Sequence, residues 1–554
     1  MSLRQTLRAL STLLLSSVIS FAGMAQQVAG DRVAGKVLSS PDGRPLANVL
    51  VSLEPANSNQ AFATAYTAED GTFHFDRVPA GKYRLLGQAS GFVPSLYLEH
   101  ENLSTAIVTG VGVDTSSLTL ELTPSASISG HIIDDTGEPV VRANIILYRK
   151  QSGDENRIAR FRNGFTNDES TFDFGDLPPG RYFLAVTATP WYAVHPPPPE
   201  PPEARVMFRP AVDLALDVAY PMTFYPAATL DTDALPIDVK PGDDFIADIH
   251  LAPVHALSIT LPSTDNGNME HGGRPFGYSL TRTVFGHPEP AAMQMDGFNG
   301  TQRITGLAPG QYEIRANLAG TASRDFGPIT LSSESITLDS QPAIATSSAL
   351  VHVSLHTPDG MNLPKNTLIS LYQRGNPSGI NLNQPLAGKD AVDFNEVPVG
   401  DYRFVIYGLG RPLSVAGVQV NGRDSPTRVL HITGTDEVKV DLTLGGEPIS
   451  IEGYVHRPNG KPSVPSMVIL VPAGEDASPD LFRRDQTDLD GSFMLPNVLP
   501  GNYLLIAVEN AWSIRWNDPS TVMPYLLHAV PIAVRSDQGA QPIHLNQPVI
   551  SQTR

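Results

Sequence analysis

One phrase recurs five times along this chain, and it constrains the fold more than any other feature of the sequence. It reads Asp70-Gly71-Thr72-Phe73-His74-Phe75, then Val78-Pro79-Ala80-Gly81-Lys82-Tyr83-Arg84-Leu85. It returns at Ser170-Thr171-Phe172-Asp173-Phe174 with Leu177-Pro178-Pro179-Gly180-Arg181-Tyr182, and at Leu307-Ala308-Pro309-Gly310-Gln311-Tyr312. The last two copies are Val397-Pro398-Val399-Gly400-Asp401-Tyr402 and Asp490-Gly491-Ser492-Phe493, ending Leu499-Pro500-Gly501-Asn502-Tyr503. The marker glycines Gly81, Gly180, Gly310, Gly400 and Gly501 lie 99, 130, 90 and 101 residues apart. Solenoid repeats are much shorter, so this period describes whole domains in tandem.

The local chemistry of the phrase is β. Asp-Gly is a turn signal, because glycine accepts positive φ. Phe73 and Phe75 alternate and therefore share one face of a strand. The Pro-x-Gly pair turns the chain again, and Tyr83 and Leu85 open a second strand with both side chains on one face. Read alone, the unit is a β-hairpin with an apolar inner side. A second phrase precedes it: Gly35-Lys36-Val37, Asp42-Gly43-Arg44-Pro45, then Val49, Val51 and Leu53 in alternation. Copies stand at Gly130-His131-Ile132 with Ala143, Ile145 and Leu147, and at Gly453-Tyr454-Val455 with an apolar run from Met467 to Val471. Short strands divided by turn signals predict an all-β chain of about five tandem antiparallel β-sandwiches. Glycine (46) and proline (49) favour turns over long helices.

The two phrases together resemble the carboxypeptidase regulatory-like domain, most fully in copies one, two and five. The resemblance implies a transthyretin-like, carbohydrate-binding-like sandwich and supplies no catalytic residue. The expected boundaries are a leader at 1–25, a regulatory-like sandwich at 28–124, and a second sandwich with a proline-rich insertion at 125–254. A degenerate third follows at 255–345, a fourth at 346–447 and a regulatory-like fifth at 448–548.

The N-terminus reads as a signal peptide: Arg4 and Arg8, an apolar stretch from Leu13 to Phe21, and small residues at Gly23-Met24-Ala25. The expected location is therefore outside the cytoplasm: periplasm, outer surface or extracellular space. The apolar stretch is too short to span a bilayer, and no transmembrane segment is expected in the mature chain. The chain has no cysteine, which excludes disulfides, thiolate chemistry and a lipidated N-terminal Cys. The cores must hold the modules by themselves. Net charge is −19, and −21 without the leader, which argues against nucleic acid or anionic membrane as partners.

The sequence offers little chemistry. It has no nucleophile elbow, P-loop or zinc-helix motif, and no cofactor is expected. Thr487-Asp488-Leu489-Asp490-Gly491 is similar to the start of a calcium loop, with Asp488 and Asp490 as candidate ligands. It lacks the bidentate Glu that completes such a loop, so a plain turn stands beside that reading. His195 precedes the run Pro196–Pro202, expected to be a stiff polyproline loop. Each of the three tryptophans comes a little after a module's Tyr strand and is a candidate sugar-stacking ring: Trp191-Tyr192 follows Tyr182, and Trp512 and Trp516, after Tyr503, lie close together between Asn510 and Asp518. On a strand, 510, 512, 514, 516 and 518 share a face: two rings for a sugar to stack on, flanked by two polar groups. A helical turn would also bring the rings together. The competing reading is that the rings cover a sandwich core or seal the joint between the fourth and fifth modules.

The expected function is a secreted or cell-surface, non-catalytic, multi-module binding protein, with glycans or cell-surface proteins as partners. A structural spacer and an enzyme with an unrecognised site are the alternatives.

Overall fold

The computed structural model describes residues 30–553 except 59, 152–157, 197–212, 262–274, 299–300, 319–323, 339–347, 358–362, 375–380, 409–410, 414, 426–427, 435, 445–448, 474–480 and 536–540. The leader and most of the proline-rich run lie outside the described residues. The chain is all-β: among the described residues the one α-helix is Pro519–Val522. No helix there is long and apolar enough to cross a membrane.

Five sandwiches follow one another, each built from two small sheets. In the first, one sheet orders Thr72–Val78, Asp31–Ser39 and Leu118–Leu122. The other orders Ala63–Tyr66, Leu50–Pro55 and Gly81–Gln88, with Ser95–Leu96 and Ile107–Thr109 both on the far edge. The recurring phrase is therefore not a hairpin. Its two strands, Thr72–Val78 and Gly81–Gln88, belong to different sheets, and the Pro-x-Gly turn is a corner between layers. The same holds for Thr171–Leu177 and Gly180–Thr187, and for Ser492–Val498 and Gly501–Glu509. Alternation puts Phe73, Phe75, Tyr83 and Leu85 into one core whether the strands pair or face each other, so the sequence pattern could not separate the two.

The tyrosine fixes that corner in all five copies. Its ring is buried and its hydroxyl donates to the carbonyl four residues back: Tyr83 to Pro79 (3.1 Å), Tyr182 to Pro178 (2.5 Å), Tyr312 to Ala308 (2.8 Å), Tyr402 to Pro398 (2.9 Å) and Tyr503 to Leu499 (2.8 Å). Burial raises the phenol pKa at each, at Tyr402 up to about 12, so the hydroxyl stays a donor.

Each module closes with a strand parallel to its first. Leu118–Leu122 runs beside Asp31–Ser39, and Asp244–Ile246 and Ile249–Leu251 run beside Ala126–Asp134. The glycines of the second phrase allow that approach. A Cβ on Gly35 would stand 2.1 Å from Leu118 O, and one on Gly130 2.3 Å from Ala247 O.

A buried threonine bridges the second sheet's loop in three copies. Thr166 Oγ1 donates to Val140 O (2.8 Å) and accepts from Ala143 N (2.9 Å). Thr67 and Thr487 make the same pair of bonds, with Leu46 O and Val49 N, and with Ser463 O and Ser466 N. Thr166→Val keeps the shape and strands both backbone groups, so it is expected to cost about 1–3 kcal/mol in urea unfolding of the second module.

The described chain divides into two compact units. One holds the first module with Asp488–Asp490, and the other holds the remaining modules. Within the second unit, modules two and three share a joint. The Pro275–Val284 and His287–Pro290 hairpin turns through Phe285 (φ +49°) and Gly286 (φ +78°). That tip places Phe285 among Tyr148, Phe183 and Phe224 of the second module, with ring centroids 5.2, 5.1 and 5.7 Å away. Phe285 N donates to Asp231 Oδ2 (2.5 Å), and Arg160 pairs with buried Glu289 (3.3 Å). A bulky residue in left-handed backbone is costly, and here the ring's socket offsets it.

Candidate functional site

The predicted tryptophan face does not form. The strand Gly501–Glu509 ends before Asn510, whose φ of +55° turns the chain away. Residues 510–529 then fold as a cap over the outer face of their own sheet. Ala511 and Val522 are fully buried, and Trp512, Ile514, Trp516, Tyr525 and Leu526 pack half-buried around them. The two tryptophans thus cover their own module's sheet. Arg484 lies 4.7 Å from the centroid of the Trp516 ring, a cation–π contact on one ring face.

The flanking polar residues do other work. Asn510 is exposed at the turn. Asp518 caps the short Pro519–Val522 helix, accepting from Ser520 N (2.9 Å) and Ser520 Oγ (2.7 Å). The Ser520 hydroxyl foremost lowers its carboxyl pKa. No strand face joins Asn510 and Asp518 to the rings.

Asp488 accepts from Lys82 Nζ (2.6 Å) and from Ala106 N (3.1 Å) inside the first unit. Burial, ahead of the opposing pull of Lys82, raises its carboxyl pKa. Asp490 lies in the turn before Ser492–Val498. Among the described residues no three His, Cys, Asp or Glu side chains converge to hold a metal.

Two further features lie outside the fifth module. Trp191 is 82% exposed, the most exposed tryptophan of the described chain, and stands edge-on to Tyr192 with centroids 5.7 Å apart. Beside them the Tyr220 phenol is raised by burial first, then by Tyr192. His195 Nδ1 lies 2.8 Å from Asp217 Oδ1, and both are nearly buried. This has the form of a catalytic dyad, but the ring's Nε2 faces Gly306 of the third module, where a Cβ would stand 2.6 Å away. Arg303 of that module donates to Pro196 O on the same segment. The dyad therefore sits within the joint of modules two and three.

These features define a class: tandem β-sandwich modules stabilised by buried aromatic corners. Residues 32–122, the first module, match the carboxypeptidase regulatory-like domain family. No curated protein sequence matches the chain. Solved structures with similar parts include a streptococcal ancillary pilin, at 11% identity over 52% of this chain and 98% of that one (TM-score 0.20). The TIE protein of Bacillus anthracis is similar at 12% identity over 77% of this chain and 76% of that one (TM-score 0.17). The minor pilin GBS52 of Streptococcus agalactiae is similar at 12% over 41% and 97% (TM-score 0.19).

Proposed function

We propose that this chain is an exported, non-catalytic surface protein that binds partners through exposed faces of its sandwiches. The observation that supports this most directly is where the recurring residues go. Tyrosines, phenylalanines, threonines and glycines that repeat between modules are all used by cores, corners and close strand approaches. A repeated catalytic or ligand site would instead recur as exposed polar groups. What is presented to solvent differs from module to module, as expected when each face meets its own partner.

Within this reading a glycan is the partner class, and the Trp191–Tyr192 pair is its first contact. An exposed indole beside a phenol offers a flat apolar face with a polar rim. Trp512 and Trp516 offer less, since each gives part of its surface to the sheet beneath. A glycan array with the mature chain tests this. Trp191→Ala should weaken the strongest bound glycan about tenfold, the scale of one lost stacking contact of about 1.4 kcal/mol. Equal binding by the parent and Trp191→Ala would rule out that contact, and Trp512→Ala then tests the fifth-module rings. The spacer reading is favoured by the packed joint of modules two and three, and it expects every spot on the array to stay blank.

A further inference from the structure

The corner tyrosine has a cross-strand partner that changes from module to module. It is Pro55 in module one, Arg149 in module two, Gln373 in module four and Pro472 in module five. In module three the pairing runs as far as Thr281 with Glu313, so Arg282 stands beside Tyr312. Where the position holds arginine, that arginine closes the corner. Arg149 Nη2 donates to Pro179 O (3.0 Å), and its guanidinium lies 5.6 Å from the centroid of the Tyr182 ring. Arg282 Nη2 donates to Tyr312 Oη (3.0 Å), with its guanidinium 5.2 Å from that ring's centroid.

Pro472 has no side-chain donor to offer the fifth module's corner, yet that corner has its arginine. It comes from module four. Arg428 immediately precedes the strand Val429–Ile432, which pairs with the Tyr402 strand of its own module. Its Nη2 donates to Pro500 O, and its guanidinium hydrogen-bonds the Tyr503 hydroxyl. Pro500 holds the place of Pro179, just before the marker glycine. Arg428 therefore makes on module five the bonds that Arg149 makes to Pro179 and Arg282 to Tyr312. Its backbone is left-handed (φ +57°), which is costly for a residue with a side chain, and burial lowers its guanidinium pKa. The contacts that offset both costs lie in the next module.

We propose that module four is an intramolecular partner of module five, and that Arg428 completes the fifth corner in trans. The interaction surface is the residue before Val429 on one module and the Pro500-Gly501 corner with Tyr503 on the other. The receiving groups are a carbonyl and a phenol, both neutral. Planar, multi-donor geometry therefore selects the guanidinium, and charge pairing does not. The side chain of Arg428 serves module five and not the module that carries it.

The test measures hydrogen exchange in the full chain. Arg428→Ala keeps the left-handed backbone of that position and removes the guanidinium. Protection over Gly501–Glu509 should fall about tenfold, as when a buried acceptor loses a charged donor, while Gly400–Gly408 keeps its own. Adding Pro472→Arg to Arg428→Ala supplies the arginine in cis, as Arg149 does in module two. Protection over Gly501–Glu509 should then recover. Unchanged protection there in Arg428→Ala overturns the proposal. An equal fall over Gly400–Gly408 also overturns it, because Arg428 would then be a structural residue of its own module. So does a double variant whose Gly501–Glu509 exchanges as fast as in Arg428→Ala alone, since the two arginines would not fill the same place.

Discussion

Phe172→Ala is expected to destabilise the second module by roughly 3–5 kcal/mol, and to bring the third module down with it. Phe172 is buried in the second module's core beside Phe174, with ring centroids 5.9 Å apart. Its removal leaves a cavity that two facing sheets cannot close without breaking their own ladders. If the modules were independent, the damage would stop at residue 251, the end of the closing strand. It should not, because the third module's hairpin tip is seated in a socket made by Tyr148, Phe183 and Phe224. Hydrogen exchange in urea separates the outcomes. Protection over Gly180–Thr187 and over Gly310–Leu318 should fall at the same lowered urea concentration, while Gly501–Glu509 keeps its own. Unchanged protection over Gly310–Leu318 would show that the joint transmits nothing.

Phe285→Ala should uncouple the two. The ring is only half-buried, so the loss should lie near the bottom of the range for phenylalanine truncation, about 3 kcal/mol. Alanine keeps the positive φ strain of the tip, so the change reports the ring and not the backbone. Two separate transitions should then appear for Gly180–Thr187 and Gly310–Leu318, each responding only to mutations in its own core. The combination Phe172→Ala with Phe285→Ala should spare the third module. If the third module still unfolds with the second, the coupling runs through the His195 and Arg303 contacts instead.

The candidate sites show why surface function was harder to read than the fold. Trp512 and Trp516 are four residues apart on paper, and that spacing fits a strand face, a helical turn or a cap equally. The deciding residues were others: Asn510, which leaves the strand, and the unbroken apolar run Met467 to Val471, which demands cover on both faces. That run was visible in the sequence, but nothing in it names the segment that supplies the cover. The bridging threonine has a sequence signal of its own: Thr67, Thr166 and Thr487 each stand four residues before the turn residue, Gly71, Ser170 or Gly491.

By itself the sequence determined the number of modules, their β class, and the residues that fill their cores. These follow from a period-two apolar pattern and from turn residues, both properties of single strands and their nearest neighbours. Only the tertiary structure decided which strands pair. The recurring phrase reads as a hairpin and folds as a corner between sheets, because alternation fixes which side of a strand is buried but not which strand satisfies its backbone groups. It also decided what lies against an apolar outer face: a neighbour's hairpin tip on module two, the chain's own tryptophan cap on module five. Burial is a demand that any apolar surface of the right shape can meet, and shape exists only after the modules have folded.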